Sequence, residues 1–381
     1  MSARHADQRG IRIMKAFAAL AERAGEPFVV RPLDLDDPRD DELMVKVVAT
    51  GICHTDLIVR DQLMPVPMPL VLGHEGAGIV ERVGRGITHL KPGDKVILSV
   101  GYCGHCEHCV MGRPVYCHDH QTYNWAGTRA DGSVALHDGG RDVHSHFFGQ
   151  SSFANYAVVS ASSAVKVPDD APIELLGPFA CGIMTGAGAV MNSLKAEPGT
   201  SIAVFGIGGV GIAAIAAARA MGCTTIVAVD VNDTRLTLAK VVGATHTVNG
   251  MREDAVETVR RLTDGRGVRY AVECSGQPAV MANAVNALDE VGACVLTGVP
   301  PADATLPLDI MHLLRGRTVR GSIMGDAAPS VFLPKLVRLF QEGRFPVDRM
   351  YRFYPLQDIN QAVDDIRAGL TVKAVLTMSH D

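Results

Sequence analysis

The sequence predicts an α/β protein of two parts, an irregular β domain followed by a domain built on a doubly wound parallel sheet. Two observations support this fold class. Short β-branched runs broken by Gly and Pro fill roughly the first 180 residues. From about residue 200, apolar strand-like runs alternate with helical ones, as in βαβ units. The chain has 381 residues, which is long enough for two domains.

The first part contains strand-like runs separated by turn signals. The segment Lys-Pro-Gly-Asp at 91–94 predicts a turn, because Pro presets φ and Gly permits a positive φ. A Gly-, Asp- and His-rich segment at 125–149 predicts a surface loop or hairpin. The predicted strands lie at 43–49, 78–83, 95–100 and 156–159.

Four cysteines in the first part follow the spacing C-x2-C-x2-C-x7-C: Cys103, Cys106, Cys109 and Cys117. Four thiolates this close together complete the tetrahedral coordination of Zn²⁺ and leave no open position for chemistry. The surrounding stretch has too few apolar residues to fold as a core element, so the metal would order it. Unrelated thiols, two disulfides or an iron–sulfur cluster are the alternatives. We predict a structural zinc site.

The second part alternates predicted buried strands with helices, which indicates a parallel sheet. The strands are predicted at 201–205, 225–230, 270–274 and 293–297, and the helices at 211–221, 235–242, 255–262 and 279–288. Residues 201–218 carry no charge. Their glycines and their division into a strand, a turn and an Ala-rich helix argue against a membrane span.

A glycine-rich motif connects the first of these strands to its helix. Residues 206–211 read G-x-G-x-x-G, and an acidic residue, Asp230, ends the next predicted strand. In this context the motif predicts dinucleotide binding, with the pyrophosphate at the helix N-terminus. A Gly-rich packing turn without a ligand is the alternative. The predicted loop residues are Gly206, Gly208, Gly209, Val210 and Gly211.

Asp230 also predicts which dinucleotide binds. Its carboxylate would accept hydrogen bonds from the adenosine ribose and repel a 2′-phosphate, which favours NAD over NADP. Arg235 follows it closely and is predicted to assist at the adenosine end. The sequence therefore predicts NAD as the cofactor.

Composition excludes several classes of partner. A formal charge of −5 gives no electrostatic case for binding nucleic acid or an anionic membrane. Nine cysteines, four of them in one metal-like cluster, indicate a reducing compartment rather than a secreted disulfide scaffold. Residues 1–12 are polar and basic and lack the apolar segment of a signal peptide. We therefore expect a cytoplasmic protein.

Three further metal-capable residues, Cys53, His74 and Cys181, lie far apart in the sequence. An isolated cysteine is more often a small buried hydrophobe than a ligand. Their contexts favour a metal role, because each is bordered by glycine, where the backbone can yield to a ligand. Those contexts are GICHTD at 51–56, GHEGAG at 73–78 and GPFACG at 177–182.

The order of these motifs carries a family resemblance. G-H-E-G-x-G, the four-cysteine loop, and G-x-G-x-x-G with its acidic residue occur in sequence, and from about residue 14 onward the chain resembles the zinc-dependent medium-chain alcohol dehydrogenases. The resemblance implies a GroES-like catalytic domain at 1–182 and 325–381, and a Rossmann domain at 183–324. It also implies two zinc ions per chain, the second held by Cys53, His74 and Cys181 with an open fourth position.

The resemblance also implies roles for residues beside that second zinc. Asp56 resembles the carboxylate that orients the histidine ligand. Glu75 resembles a nearby or alternate ligand, and Thr55 the hydroxyl that takes the proton from the alcohol. Lys373 resembles a residue that reaches the cofactor phosphates. His54 would either relay the proton or bind phosphate, and both readings stay open.

One departure bears on the substrate. Many relatives continue the proton relay through a histidine where this chain has Ile58. That substitution, with the segments 69–75 and 147–153, resembles aryl-alcohol and terpenoid alcohol dehydrogenases. We therefore predict reversible oxidation of bulky primary alcohols to aldehydes. The alternatives are a glutathione-dependent formaldehyde dehydrogenase and a non-catalytic zinc- and NAD-binding protein. The resemblance further implies a homodimer or homotetramer, with residues 305–323 at the contact.

Overall fold

The structure is a computed structural model that describes residues 5–6 and 12–380, so most of the N-terminal stretch considered above lies outside it. The chain folds into two compact units. The first comprises the described residues up to Cys181, Ala328–Val337 and the described residues from Tyr351 onward. The second comprises Gly182–Ala327 and Arg338–Met350. The division at 182 and 324 drawn from the resemblance stays a prediction.

Strands make up both units. In chain order the strands of the described residues are β1 (His5–Ala6), β2 (Arg12–Ala21), β3 (Val29–Leu35), β4 (Glu42–Gly51), β5 (Leu70–Val71), β6 (Gly76–Val83), β7 (Lys95–Leu98), β8 (Leu136–Asp138), β9 (Arg141–Val143), β10 (Tyr156–Ser160), β11 (Ala164–Lys166), β12 (Ser201–Phe205), β13 (Thr225–Asp230), β14 (His246–Asn249), β15 (Val268–Glu273), β16 (Leu288–Leu296), β17 (Thr318–Gly321), β18 (Tyr351–Pro355) and β19 (Lys373–Thr377).

Helices are concentrated in the second unit. Over the same part of the chain the α-helices are α1 (His54–Arg60), α2 (Glu107–Val110), α3 (His120–Asn124), α4 (Gly182–Gly188), α5 (Gly209–Ala220), α6 (Asp233–Val242), α7 (Ala255–Arg261), α8 (Pro278–Asn286), α9 (Ile310–Leu314), α10 (Pro329–Gln341) and α11 (Ile359–Arg367). None of these helices is long and apolar enough to span a membrane.

The first unit contains two sheets. One runs β1-β2-β3-β8-β9, with β5 paired to β2, and the other runs β11-β7-β6-β4-β19-β18, with β10 paired to β4. Alternate residues of β4 bury Leu43, Val45 and Val47 against Val80 and Val96, as the two-residue period of a strand requires. The segment predicted as a loop or hairpin contains the β8–β9 hairpin.

The second unit is built on one parallel sheet of order β14-β13-β12-β15-β16-β17. The order reverses between β12 and β15, which is the switch point where doubly wound sheets bind ligands beyond the strand ends. The predicted strands at 201–205 and 225–230 coincide with β12 and β13. The edge strands β14 and β17 were not predicted. The predicted α/β class with a doubly wound parallel sheet is confirmed.

Candidate active site

The four clustered cysteines come together in the first unit around α2. Cys103 Sγ lies 3.9 Å from Cys109 Sγ, and Cys106 Sγ lies 4.0 Å from Cys117 Sγ. Sulfurs bound to one zinc at tetrahedral angles would be about 3.8 Å apart. None of the nine cysteines, all of which the structure describes, forms a disulfide. The residues therefore fit a four-thiolate metal site.

Backbone N–H groups support this cluster. The N–H of Cys106 donates to Cys103 Sγ at 3.3 Å, and that of Cys103 donates to Cys117 Sγ at 3.4 Å. Hydrogen bonds from the backbone N–H of His118 and, to a smaller extent, from that of Cys109 lower the pKa of the Cys106 thiol to about 6. Such contacts stabilise thiolates, the form that binds metal.

The other three predicted ligands also converge, together with Glu75, in the first unit. Their ligand atoms all lie within 4.8 Å of one another. Cys53 directly precedes α1, His74 lies between β5 and β6, and Cys181 is the last residue of the first unit before the chain enters the second at Gly182. The Nε2 atom of His74 is buried and has no hydrogen-bond partner among the described residues. A buried imidazole nitrogen without a partner, facing two thiols, fits a metal site with two sulfur ligands and one nitrogen ligand.

Asp56 fixes two of these ligands at once. Its Oδ1 accepts hydrogen bonds from His74 Nδ1 at 2.9 Å and from the N–H of Gly73 at 3.1 Å. Its Oδ2 accepts from the N–H of Cys53 at 2.9 Å. Because Nδ1 donates to this fully buried carboxylate, Nε2 is left as the ligand atom of the ring.

The predicted partner of the cofactor phosphates, Lys373, lies beside Glu75. Its Nζ contacts Glu75 Oε2 at 2.5 Å and donates to the carbonyl of Ile52 at 3.1 Å. Burial raises the pKa of Glu75 to about 7 although the ammonium of Lys373 opposes the shift. A Cβ at Gly51 would lie 2.0 Å from Glu75 Oε2, so the carboxylate needs glycine there. In this structure Lys373 therefore contacts the metal-site carboxylate.

The predicted proton-transfer residues lie at the start of α1. Thr55 is half-buried, with its Oγ1 3.8 Å from Cys53 Sγ, whereas His54 is exposed. The structure thus brings Thr55 to the metal cluster. The two readings of His54 stay predictions.

An aromatic cluster beside His74 was not predicted. The ring of Phe148 stacks on His74 at 4.7 Å, and Phe147 contacts the same ring edge-on at 5.5 Å. Trp125 lies 5.2 Å from Phe148, and its Nε1 donates to His120 Nε2 at 3.1 Å. The adjacent phenylalanines at 147–148 were the only hint of this cluster in the sequence, but their position beside His74 depends on a contact between residues far apart in the chain.

The glycine-rich loop connects β12 to α5 at the switch point of the second unit. Gly206 has φ +87°, and a Cβ there would lie 2.8 Å from the backbone nitrogen of Ser275. A Cβ at Gly211 would lie 2.1 Å from the carbonyl oxygen of Gly206. Nothing lies within 4 Å of a Cβ at Gly208 or Gly209. Open space over these two residues at a helix N-terminus fits a pyrophosphate.

Asp230 lies at the end of β13 and holds the glycine-rich loop. Its Oδ2 accepts from the N–H of Ile207 at 2.6 Å, and its Oδ1 accepts from Val231 and Asn232 at 2.8 and 2.9 Å. Arg235 lies in the first turn of α6, and its buried Nε has no hydrogen-bond partner within the described residues. Apart from Lys373, the residues predicted to bind the dinucleotide thus lie together at one end of the sheet.

Comparison with known proteins gives two family matches. Residues 39–169 match the model of the alcohol dehydrogenase GroES-like domain, and residues 209–342 match that of the zinc-binding dehydrogenases. Geraniol dehydrogenase from Castellaniella defragrans is 42% identical over 95% of this chain and 98% of its own length.

Two solved structures resemble the whole chain. The alcohol dehydrogenase zinc-binding domain protein from Burkholderia ambifaria is 49% identical, with a TM-score of 0.95 over 97% of this chain and 100% of its own. Benzyl alcohol dehydrogenase from Acinetobacter calcoaceticus is 45% identical, with a TM-score of 0.93 over 96% of this chain and 99% of its own.

Proposed function

Because this chain belongs to the zinc-binding alcohol dehydrogenase family, with its GroES-like and Rossmann domains, we propose that it oxidises bulky primary alcohols, aryl or allylic, to aldehydes with NAD. The reaction is reversible. The observation that carries the proposal is the convergence of Cys53, His74 and Cys181, with the aromatic rings of Phe147 and Phe148 packed against His74.

Two sites hold the cofactors in this proposal. Cys53, His74 and Cys181 would hold the zinc that takes part in the reaction, with Glu75 beside them. Cys103, Cys106, Cys109 and Cys117 would hold the structural zinc. When bound, zinc at the first site would lower the pKa of an alcohol hydroxyl, and the nicotinamide of NAD would be the hydride acceptor.

The chain's own residues position and move the proton. Asp56 holds the His74 ring in one tautomer, so that Nε2 faces the metal site. The hydroxyl of Thr55 accepts the proton that leaves the alcohol oxygen and releases its own proton toward solvent, while the alcohol carbon loses its hydride. Exposed His54, its neighbour in sequence, either passes this proton to solvent or binds a cofactor phosphate.

Residues of the second unit bind NAD in this proposal. The open space over Gly208 and Gly209 accommodates the pyrophosphate at the start of α5. Asp230 retains acceptor capacity for ribose hydroxyls beside the hydrogen bonds that hold its loop. Its negative charge disfavours a 2′-phosphate, and Arg235 lies nearby at the adenosine end.

The apolar surroundings of His74 support this substrate class. Phe147 and Phe148, which are 0% and 6% exposed, pack against this metal ligand, and an apolar environment suits an aromatic ring or an allylic chain better than ethanol. The relatives named geraniol dehydrogenase and benzyl alcohol dehydrogenase agree with this preference.

Steady-state NADH formation at 340 nm tests the proposal. We expect kcat/KM for benzyl alcohol and geraniol to exceed that for ethanol by at least about tenfold. Burial of one or two additional methylene groups in the transition state stabilises it by about this amount. Formaldehyde with and without glutathione belongs in the same panel, because a glutathione requirement would indicate the formaldehyde-oxidising class. Benzyl alcohol turned over no faster than ethanol would contradict the substrate assignment. No turnover on any of them at full zinc content would mean either a substrate outside the panel or a protein that has kept its metals and lost its chemistry.

We also propose a homodimer or homotetramer in a reducing cytoplasm. Edge strand β17 and helix α9 lie within the predicted contact region, and α9 exposes Ile310, Met311 and Leu314. Open strand edges with adjacent apolar side chains favour association. Thiolate-rich metal sites favour a reducing compartment. Mass photometry distinguishes two from four subunits, and a monomer would contradict the proposal.

A further inference from the structure

The side chain of Gln150 is buried, and the proposed reaction gives it no direct role. It is 1% exposed and lies in the segment 146–153 that follows the β8–β9 hairpin. This segment has positive φ values at His146, Phe148, Gly149 and Ser151. Such conformations are costly for residues other than glycine and persist only where surrounding contacts enforce them.

The amide of Gln150 brackets the metal-ligand turn. Its Nε2 donates to the carbonyl of His74 at 3.0 Å, and its Oε1 accepts from the N–H of Gly76 at 3.0 Å. One side chain thus satisfies the carbonyl of a ligand and the N–H two residues later. Only a primary amide offers a donor and an acceptor in this arrangement, and glutamine has the length to reach both.

The same nitrogen connects this turn to a second ligand. Nε2 also lies within hydrogen-bond distance of the carbonyls of Leu98 and Ser99, at 2.9 and 3.1 Å, where β7 ends. The hydroxyl of Ser99 donates to the carbonyl of Ala180 at 2.8 Å, directly before Cys181. A continuous set of buried hydrogen bonds therefore joins the backbones of His74 and Cys181.

We propose that Gln150 is a positioning residue that holds the backbones of His74 and Cys181 at the separation the catalytic metal requires. Asp56 fixes the ring of His74, and Gln150 fixes its peptide. The inference rests on the ligand assignment made under the proposed function. Loss of such supporting contacts typically lowers metal affinity by about 10- to 100-fold.

Two substitutions separate the contributions of the amide. Gln150→Glu keeps the acceptor for Gly76 but loses the donor to His74, whereas Gln150→Met keeps the volume and removes every hydrogen bond. A matched control is Asn124→Asp. Asn124 is also fully buried, and its amide brackets Gly101, with Nδ2 donating to its carbonyl at 3.0 Å and Oδ1 accepting from its N–H at 2.9 Å. It does so beside the structural cysteines.

The experiment measures metal loss at each site of the full-length zinc protein. Dipicolinate is added, iodoacetamide is applied at timed intervals, and peptide mass spectrometry reads alkylation at every cysteine. We expect both Gln150 variants to accelerate alkylation of Cys53 and Cys181 by about 10- to 100-fold. The cysteines at 103, 106, 109 and 117 should stay within about twofold of wild type, which also verifies folding. Asn124→Asp should show the reverse pattern.

Equal acceleration at both cysteine sets, or no acceleration, would overturn the positioning role, since general destabilisation would expose all six thiols alike. A wild-type protein whose Cys53 and Cys181 are alkylated at once without dipicolinate would refute the ligand assignment itself. The two failures are therefore distinguishable. Substitution of zinc by cobalt gives a second readout. The visible spectrum of cobalt bound at the site with two sulfur ligands should differ between the Gln150 variants and the wild type.

Discussion

Replacing Glu42 by Gln should destabilise the first unit through a buried ionic network. Glu42 is 4% exposed and accepts hydrogen bonds from Arg129 Nε at 2.7 Å and Nη2 at 3.1 Å. His146 Nε2 donates to the same carboxylate at 3.0 Å, and the N–H of Arg39 does so at 2.9 Å. His146 directly precedes the two phenylalanines that contact His74.

The pKa of Glu42 sets the size of the effect. Burial would raise this pKa, but hydrogen bonds from His146 and Arg129 lower it from 4.5 to about 2. A tenfold change in proton affinity corresponds to about 1.4 kcal/mol, so the charged form contributes about 3 kcal/mol to the free energy of unfolding. Removing one partner of a buried ion pair costs a similar amount. We therefore expect Glu42→Gln to lose about 3 kcal/mol at pH 7.

The pH dependence gives an independent check. Above about pH 4.5 Glu42 is ionised in both folded and unfolded wild type, and its full contribution is present. As the pH falls from 4.5 toward 2, the unfolded state takes up the proton first and this contribution is lost. The difference between wild type and Glu42→Gln should therefore shrink as the pH falls below 4.5.

Urea unfolding followed by far-UV circular dichroism measures this difference, with both proteins at equal zinc concentration. The control is Asp40→Asn, which removes an exposed partner of Arg85 and should leave the midpoint close to that of wild type. An unchanged midpoint for Glu42→Gln, or a loss of stability that grows as the pH falls below 4.5, would refute the reasoning.

Three further predictions concern the cofactor and the proton. Gly208→Ala adds a Cβ into open space, so the unfolding midpoint should stay unchanged while KM for NAD rises about tenfold or more. In Gly211→Ala the Cβ would lie 2.1 Å from a carbonyl oxygen. This variant should therefore lower the unfolding midpoint in addition to raising KM for NAD. Asp230→Ser should raise the ratio of kcat/KM for NADP to that for NAD, and an unchanged ratio would contradict a role in excluding the 2′-phosphate. Thr55→Val should lower kcat about 10²-fold, with Thr55→Ser restoring most of it; equal rates for the two variants would argue against the hydroxyl.

The sequence predicts the second unit closely because its strands are buried on both faces. The runs at 202–205 and 226–229 are continuously apolar and lie within β12 and β13, since a parallel sheet covered by helices leaves no alternation. Strands β14 and β17 escaped prediction because they lie at the sheet edges, where exposed polar residues break the apolar run. Edge strands therefore carry no continuous apolar run by which the sequence alone would reveal them.

Within the site, residues marked by a short motif could be predicted, whereas individual contacts between residues far apart in the sequence could not. The cysteines at 103–117 form a local motif, so their spacing alone predicted a cluster. The carboxylate contact of Lys373 and the ring contact of Phe148 join residues from distant parts of the chain. Gln150 lies 76 positions from the carbonyl it binds, and no residue pattern encodes that contact. Tertiary packing alone brings these groups together.

Trp125 gives this protein a built-in optical reporter. The sequence contains one tryptophan, so all indole emission comes from the aromatic cluster beside His74. Its Nε1 is hydrogen-bonded to His120, and its ring contacts Phe148, which stacks on the metal ligand. A rearrangement of that stack alters the indole environment and hence the emission wavelength. Alcohol or metal titrations can therefore be followed in the unmodified protein, without a label and before any turnover is measured.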